Sequence, residues 1–205
     1  MQYFMTYVLG HQSVSGKKAQ LGTVVHKVME VLAGCKKLHQ DKAELLLEDD
    51  AIGEVEFTKR RLGTKKFVNE ILKRSYDHYT GSCGHHYTNA DYKFCDKTTW
   101  EGLTYDDGNF DPRKRNIVAA EPQFDILIEE DWAKYEYKMP DGQVIEGQLA
   151  IKGTIDLVTE VDDGVIEVID WKTGRRLNWA TGEEKTYEKL CKDPQLMLYH
   201  YAISK

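Results

Sequence analysis

The chain has 205 residues, of which 41% are hydrophobic and 30% charged, and its formal net charge is −6. That length fits one domain, and that much apolar material can build a core without disulfides. An acidic chain is poorly suited to coating nucleic acid, because non-specific binding depends on neutralising phosphates. No apolar run approaches the ~20 residues of a membrane helix, and residues 1–7 lack the features of a signal peptide. We therefore expect a single intracellular domain, located in the cytoplasm and without membrane association.

The first part of the chain is predicted to be helical. Apolar residues recur at helical spacing over 20–38 and again over 64–79. The stretch 80–116 is rich in Gly, Asp, Asn, Thr and His, with only short apolar interruptions. We predict a long loop insertion there, and loops of that length are usually functional.

From residue 117 the pattern changes to strands, which are predicted over 117–130, 134–139, 143–151, 152–161 and 165–171. Pro140-Asp141-Gly142 and Asp162-Asp163-Gly164 mark turns between them. A last helix is predicted from Pro194 to about Ser204, with Asp193 as its N-cap. This order predicts an α/β domain with one main sheet, an antiparallel-rich meander flanked by helices.

Two aspartates in the last predicted hairpin, Asp156 and Asp170, give the strongest chemical signal. If 162–164 forms a three-residue loop that ends in a left-handed glycine, counting back along both strands places Asp156 opposite Asp170. Lys172 then lies on the same face, because side chains alternate along a strand. A two-residue turn would instead direct the two aspartates to opposite faces.

Like charges directly across two strands destabilise a sheet, so this pair of aspartates among apolar residues needs a reason. A divalent cation supplies one, because Mg²⁺ prefers oxygen ligands and usually takes one or two carboxylates from the protein. Lys172 beside such an ion would stabilise developing negative charge or orient a hydroxide. The spacing alone leaves open an ordinary ion pair on an exposed hairpin.

Two helix faces carry further polar residues. Gly22, His26 and Glu30 stand four residues apart, so one face of the first helix would present an imidazole and a carboxylate. Gln195 and Tyr199 share a face of the last helix in the same way. Taken alone, the first set is also compatible with a partly exposed His–Glu contact. The second set is also compatible with an amide and a phenol at the edge of the core.

Taken in order, four motifs resemble the RecB-type branch of the PD-(D/E)XK nuclease superfamily, which includes phage and bacterial exonucleases. They read Gly22-x-x-x-His26-x-x-x-Glu30, Gly153-x-x-Asp156, Asp170-x-Lys172 and Gln195-x-x-x-Tyr199. Tyr3-Phe4-x-x-Tyr7 near the start and Glu121-Pro122 ahead of the strands also fit. The resemblance covers nearly the whole chain and implies a restriction-endonuclease-like core.

The resemblance also implies a metal-dependent active site. Asp156, Asp170 and Lys172 would be the catalytic residues. The ligands of Mg²⁺ or Mn²⁺ would be His26, the two aspartates and the backbone carbonyl of Trp171. The implied reaction is in-line attack by water on a DNA phosphodiester, with no covalent intermediate and with the metal activating the water.

Four further residues would bind or position the substrate in this resemblance: Gln195, Tyr199, Glu121 and Glu30. The implied partner is DNA, as ends or single strands, together with a protein partner in a recombination or replication complex. Such a protein would act in DNA repair or recombination, in the host cytoplasm if a phage encodes it.

The activity stays open among three alternatives. The acidic charge favours an exonuclease that acts on ends or single strands, and the others are a structure-specific or nicking endonuclease and a catalytically silent nucleic-acid-binding module. The intact catalytic motif argues against the silent module. Several relatives hold an iron–sulfur cluster through four cysteines in flanking segments. Because the cysteines of this chain match none of those positions, no cluster is expected; they are Cys35, Cys83, Cys95 and Cys191.

Overall fold

The structure, a computed structural model, describes residues 16–45, 60–81, 84–174 and 186–204. The chain divides into two compact units, Met1–Lys114 and Arg115–Lys205. The motif at residues 3–7 and Cys83 lie outside the described residues. None of the described helices combines the length and apolar character needed to cross a membrane.

The described residues of the first unit form three α-helices: α1 (Lys17–Leu45), α2 (Lys65–Gly81) and α3 (Asn89–Thr104). Short 3₁₀ turns follow at Tyr105–Gly108 and Pro112–Lys114. The first two helices confirm the predictions from periodicity, although α1 extends past its predicted range at both ends. Their apolar stripes are buried, including Val24, Val28 and Leu32 of α1 and Val68 and Leu72 of α2.

The prediction of a long loop over 80–116 is wrong for the middle of that stretch, where α3 forms. The helix begins with a capping box, in which the Thr88 backbone N–H donates to Asp91 Oδ2 at 2.7 Å. Cys95, Thr99 and Leu103 recur every four residues and are buried, so this polar segment still packs one face. The Thr-x-x-Asp spacing and the four-residue repeat are the signals that could have predicted the helix.

Over 115–174 and 186–204, the part of the second unit that the structure describes, there are seven strands: β1 (Asn116–Ala120), β2 (Gln123–Leu127), β3 (Lys134–Lys138), β4 (Val144–Gln148), β5 (Ala150–Thr154), β6 (Leu157–Asp162) and β7 (Val165–Ile169). A 3₁₀ turn at Asp131–Ala133 precedes β3, and helices α4 (Tyr187–Leu190) and α5 (Pro194–Ser204) follow β7. The Gln195 N–H donates to Asp193 Oδ1 at 2.8 Å, which confirms the predicted cap of α5. The strand pairs among these seven strands are antiparallel, and the α/β fold class is confirmed.

The strands form a nested ribbon, in which β1 pairs with β6, β2 with β5 and β3 with β4. The prediction of one meandering sheet, in which each strand pairs with the next along the chain, is therefore wrong in its connectivity. The strands form three ladders, β1-β6-β7, β2-β5 and β3-β4. The predicted strand 117–130 is interrupted at Glu121 and Pro122, where the chain bends. Two hydrogen bonds of 3.1 Å span the break, from the Glu121 N–H to the Asp156 carbonyl and from the Ile155 N–H to the Pro122 carbonyl. Pairing therefore continues from one ladder into the next, with a bend beside Asp156.

The hairpin between β6 and β7 has the register predicted from its turn. Leu157 pairs with Ile169, and a one-residue bulge lies next to the turn. Gly164 has a φ of 71°, the left-handed conformation that such a loop requires. Continuing the register by one step places Asp156 opposite Asp170, just beyond the last pair of the ladder.

Candidate active site

The two aspartates lie at the end of the β6–β7 hairpin that is far from its turn. Asp156 Oδ2 accepts a hydrogen bond of 2.8 Å from the backbone N–H of Trp171, which ties this carboxylate to the residue after Asp170. Only 10% of the Asp170 side chain is exposed. A carboxylate that has lost most of its water needs charged or hydrogen-bonding partners, and Asp170 has several.

The first partner of Asp170 is Lys172, as the alternation of side chains predicts. The Lys172 Nζ lies 2.9 Å from Asp170 Oδ1 and 2.6 Å from Oδ2. The lysine side chain is still 56% exposed. The pair thus joins a nearly buried carboxylate to an ammonium that solvent, or a ligand, can reach.

Helix α5 closes a ring of hydrogen bonds around Asp170. Lys172 donates to Gln195 Oε1 at 3.0 Å, Gln195 Nε2 donates to the Tyr199 hydroxyl at 2.5 Å, and that hydroxyl donates to Asp170 Oδ1 at 3.5 Å. An ammonium can only donate, so Gln195 must present its carbonyl to Lys172 and its NH₂ group to Tyr199. Each member of the ring therefore fixes the orientation of the next.

The Tyr199 ring anchors α5 to the sheet. It is buried with Ile155 and Val158, and it meets the ring of Phe124 edge-on at 6.3 Å between centroids. Burial, together with the Asp170 and Asp156 carboxylates, raises the pKa of Tyr199 above its usual value of 10. The phenol therefore stays protonated and keeps its role as a hydrogen-bond donor.

Gly153, the glycine of the Gly-x-x-Asp motif, is explained by packing. It pairs across strands with Phe124, and a Cβ at this position would lie 2.5 Å from Phe124 Cζ. The missing side chain therefore makes room for the ring that contacts Tyr199. Sequence reasoning missed Phe124, which could have been found only from the register that places it opposite a glycine.

The remaining predicted residues fall in two places. Glu121 lies at the bend of the ribbon and is bonded through its backbone to Asp156. His26 and Glu30 lie in α1, in the first unit, where both are half-buried and Glu30 Oε1 is 2.5 Å from Lys27 Nζ. The roles of His26, Glu30 and the Trp171 carbonyl stay predictions.

The donor set at the hairpin end fits a small divalent cation. Among the described residues, no three His, Cys, Asp or Glu side chains converge into a complete metal site. The register nevertheless places Asp156 opposite Asp170, and Mg²⁺ binds proteins through one or two carboxylates plus water.

Comparison with known proteins gives one match, which spans the whole chain. The model of a family described as the PD-(D/E)XK nuclease superfamily matches residues 1–205. No curated protein and no solved structure matches the chain. The match includes the helix that carries His26, the Asp156–Asp170 hairpin and the helix that carries Gln195 and Tyr199. The chain therefore belongs to the PD-(D/E)XK nuclease superfamily.

Proposed function

We propose that this protein is a Mg²⁺- or Mn²⁺-dependent deoxyribonuclease that degrades DNA from its ends or as single strands. Membership of the superfamily already makes it a nuclease of a metal-dependent class, whose substrate is a nucleic acid. DNA specificity and exonucleolytic attack are the further parts of the proposal. The observation that carries it is the ring around Asp170, in which a nearly buried carboxylate, an ammonium, an amide and a phenol hold one another.

Asp156 and Asp170 would hold the metal ion, with the Trp171 carbonyl and His26 as the other proposed ligands. The bound ion would supply Lewis-acid chemistry and neutralise charge on the phosphodiester. Asp156 is already oriented by the Trp171 N–H, and Asp170 by Lys172. Both carboxylates are thus arranged before any ligand arrives, which reduces the ordering that binding requires.

Lys172 would stabilise the negative charge that develops on the phosphate. Its ammonium has three N–H donors, and both Asp170 carboxylate oxygens and Gln195 Oε1 lie within hydrogen-bond distance of it. More than half of the side-chain surface is exposed, so a substrate phosphate can still approach the ammonium. Because Gln195 and Asp170 fix the ammonium in place, its charge is preorganised for the transition state.

The charge of the whole chain favours attack on ends or single strands. With a net charge of −6, the protein cannot rely on broad neutralisation of phosphates along a duplex. A strand that passes a few local cations needs fewer such contacts. This supports an exonuclease over an enzyme that grips a long duplex.

Two substrates test the proposal: an end-labelled linear single strand and a closed circular DNA, each with Mg²⁺, Mn²⁺ or a chelator. We expect degradation of the linear strand only, dependent on the metal and lost in Lys172→Ala but not in Lys138→Ala, an exposed lysine of β3. Cleavage of the circle would instead identify an endonuclease. Absence of product with either metal would contradict a nuclease and identify a silent binding module.

A further inference from the structure

The chain concentrates positive charge in one stretch of the first unit. Over 60–77 there are six lysines and arginines and only two acidic residues, although the whole chain has a net charge of −6. All six basic residues are exposed; they are Arg60, Arg61, Lys65, Lys66, Lys73 and Arg74. A protein that groups its cations in this way has a local positive potential, which its net charge does not reveal.

The fold brings residues from both ends of this stretch together around Glu70. Glu70 Oε1 lies 2.7 Å from Arg74 Nη2, and Glu70 Oε2 lies 3.6 Å from Nη2 of Arg61, which precedes α2. Lys66 and Lys73 stand four residues before and three residues after Glu70, so they share its face of the helix. Four cations therefore lie around one carboxylate, and we call these four side chains the basic surface.

Solvent reaches the basic surface although some of its cations are ion-paired. The exposed fraction of the side chain is 79% for Arg74, 69% for Lys73 and 55% for Arg61. The Arg61 guanidinium also lies over the ring of Phe67, 5.2 Å from its centroid. Because such contacts hold a guanidinium in place while leaving it exposed, less freedom is lost when it binds a ligand.

The composition of the basic surface fits a phosphate backbone better than a protein partner. The centre of a protein–protein interface is apolar and poor in lysine, whereas no large hydrophobic side chain is exposed over 60–77, all of which the structure describes. Arginine donates to phosphate oxygens through a planar fork of N–H groups, and lysine adds a point charge. Since phosphates repeat along every strand, such a surface would bind DNA without reading its sequence.

We propose that Arg61, Lys66, Lys73 and Arg74 form a phosphate-binding surface that holds DNA by its backbone, through residues that take no part in cleavage. The inference rests on the function proposed above only in naming DNA as the nucleic acid. Each bound phosphate releases counterions, so this binding should weaken steeply as salt rises. The basic surface would supply the attraction for phosphates that the acidic chain lacks elsewhere.

Binding of a labelled single strand to the full chain, followed by fluorescence anisotropy in EDTA at several NaCl concentrations, tests the proposal. Arg61→Gln/Arg74→Gln should bind about tenfold more weakly, or worse, at about 0.1 M NaCl. Its slope of log K against log[NaCl] should be shallower by about 1.4, which is about 0.7 for each lost phosphate contact. Its Tm should not change, because exposed ion pairs contribute little to stability.

The matched control is Lys93→Gln/Lys97→Gln, which removes the same charge from exposed positions of α3 and should bind like the wild type. Unchanged affinity and salt slope in the arginine double variant would overturn the proposal and favour an acidic protein as the partner of the basic surface. An equal loss in the lysine control would also overturn it, because net charge and not position would then determine binding.

Cleavage of linear DNA by the same proteins separates this inference from the proposed function. If the wild type cleaves and the arginine double variant binds normally, the proposed function stands and the inference fails. If the wild type binds DNA through the basic surface but cleaves none with either metal, the inference stands and the proposed function fails.

Discussion

Two hairpins of the second unit each place a pair of carboxylates directly across two antiparallel strands. In β3–β4, Glu136 pairs with Glu146. At the end of β6–β7, the register places Asp156 opposite Asp170. Glu136 and Glu146 are both exposed, whereas only 10% of the Asp170 side chain is exposed.

The two pairs have the same spacing across strands and differ in burial, so we expect burial, and not spacing, to mark a site. Two charges about 5 Å apart in water repel by only about 0.8 kcal/mol, so an exposed pair is tolerated without any ligand. The same repulsion grows as solvent is removed, and Asp170 is surrounded by a lysine, an amide and a phenol. A pair of acidic residues across two strands is therefore evidence of a functional site only where the carboxylates are also shielded from solvent.

Asp170→Asn removes one of the two carboxylates at the end of β6–β7, and we expect it to have the largest effect on cleavage. The amide keeps the shape of the side chain but removes the charge that holds both Lys172 and the cation. We expect cleavage of linear DNA to fall by about 10³-fold or more, with Mn²⁺ binding lost and the Tm retained. Initial rates and a Mn²⁺ titration measure this, with Glu136→Gln as the control. A wild-type rate in purified Asp170→Asn would contradict the assignment of the site.

Lys172→Ala should separate charge stabilisation from metal binding. We expect a loss of about 10²–10³-fold in kcat, because a preorganised cation next to the phosphate is removed. Mn²⁺ should bind as tightly as before or more tightly, since the ammonium no longer competes for the Asp170 oxygens. Lys138→Ala provides the control on β3. Weakened Mn²⁺ binding together with normal kcat would reverse this assignment.

His26→Ala tests whether the helical unit contributes to the site that the hairpin forms. We expect Mn²⁺ affinity to fall about tenfold, while the free energy of unfolding changes little. His39→Ala is the matched control, because His39 is also a half-buried histidine of α1. Identical Mn²⁺ titrations for His26→Ala and the wild type would remove His26 from the ligand set.

Tyr199→Phe should have the smallest effect, because the ring that packs on Phe124 remains. Loss of the hydroxyl removes its hydrogen bonds to Gln195 and Asp170, at a cost of about 1 kcal/mol in stability, and should lower the cleavage rate less than about tenfold.

The pH dependence of stability gives a second readout for Tyr199. Its raised pKa means that the folded protein keeps this proton at pH values where the unfolded chain has lost it. The free energy of unfolding of the wild type should therefore fall as the pH rises above 10. Tyr199→Phe should lack this contribution, whereas Tyr137→Phe, at an exposed position of β3, should retain it. Equal pH profiles for Tyr199→Phe and the wild type would show that the phenol is not protected in the fold.

The sequence could predict the parts of the site that local rules determine. The glycine at 164 and strand alternation are enough to fix the register that brings Asp170 and Lys172 together. Asp193 and Pro194 are enough to predict where α5 begins. The four-residue spacing of Gln195 and Tyr199 then places both on one face of that helix. Both depend on contacts within a few residues along the chain or on a single turn.

The missed features depend on tertiary context. Helix α3 has few apolar residues, and its helical state depends on a capping box and on burial of Cys95, Thr99 and Leu103. The bend at Glu121 requires a conformation that glutamate disfavours, so no local propensity predicts it. The match of Gly153 to Phe124 follows only from strand pairing.

A crystal soaked in Mn²⁺ and measured at a wavelength with anomalous signal tests the central claim directly. We predict a strong anomalous peak between the Asp156 and Asp170 carboxylates and none at Glu136 and Glu146. A peak elsewhere, or carboxylates of Asp156 and Asp170 that point away from each other, would contradict the account.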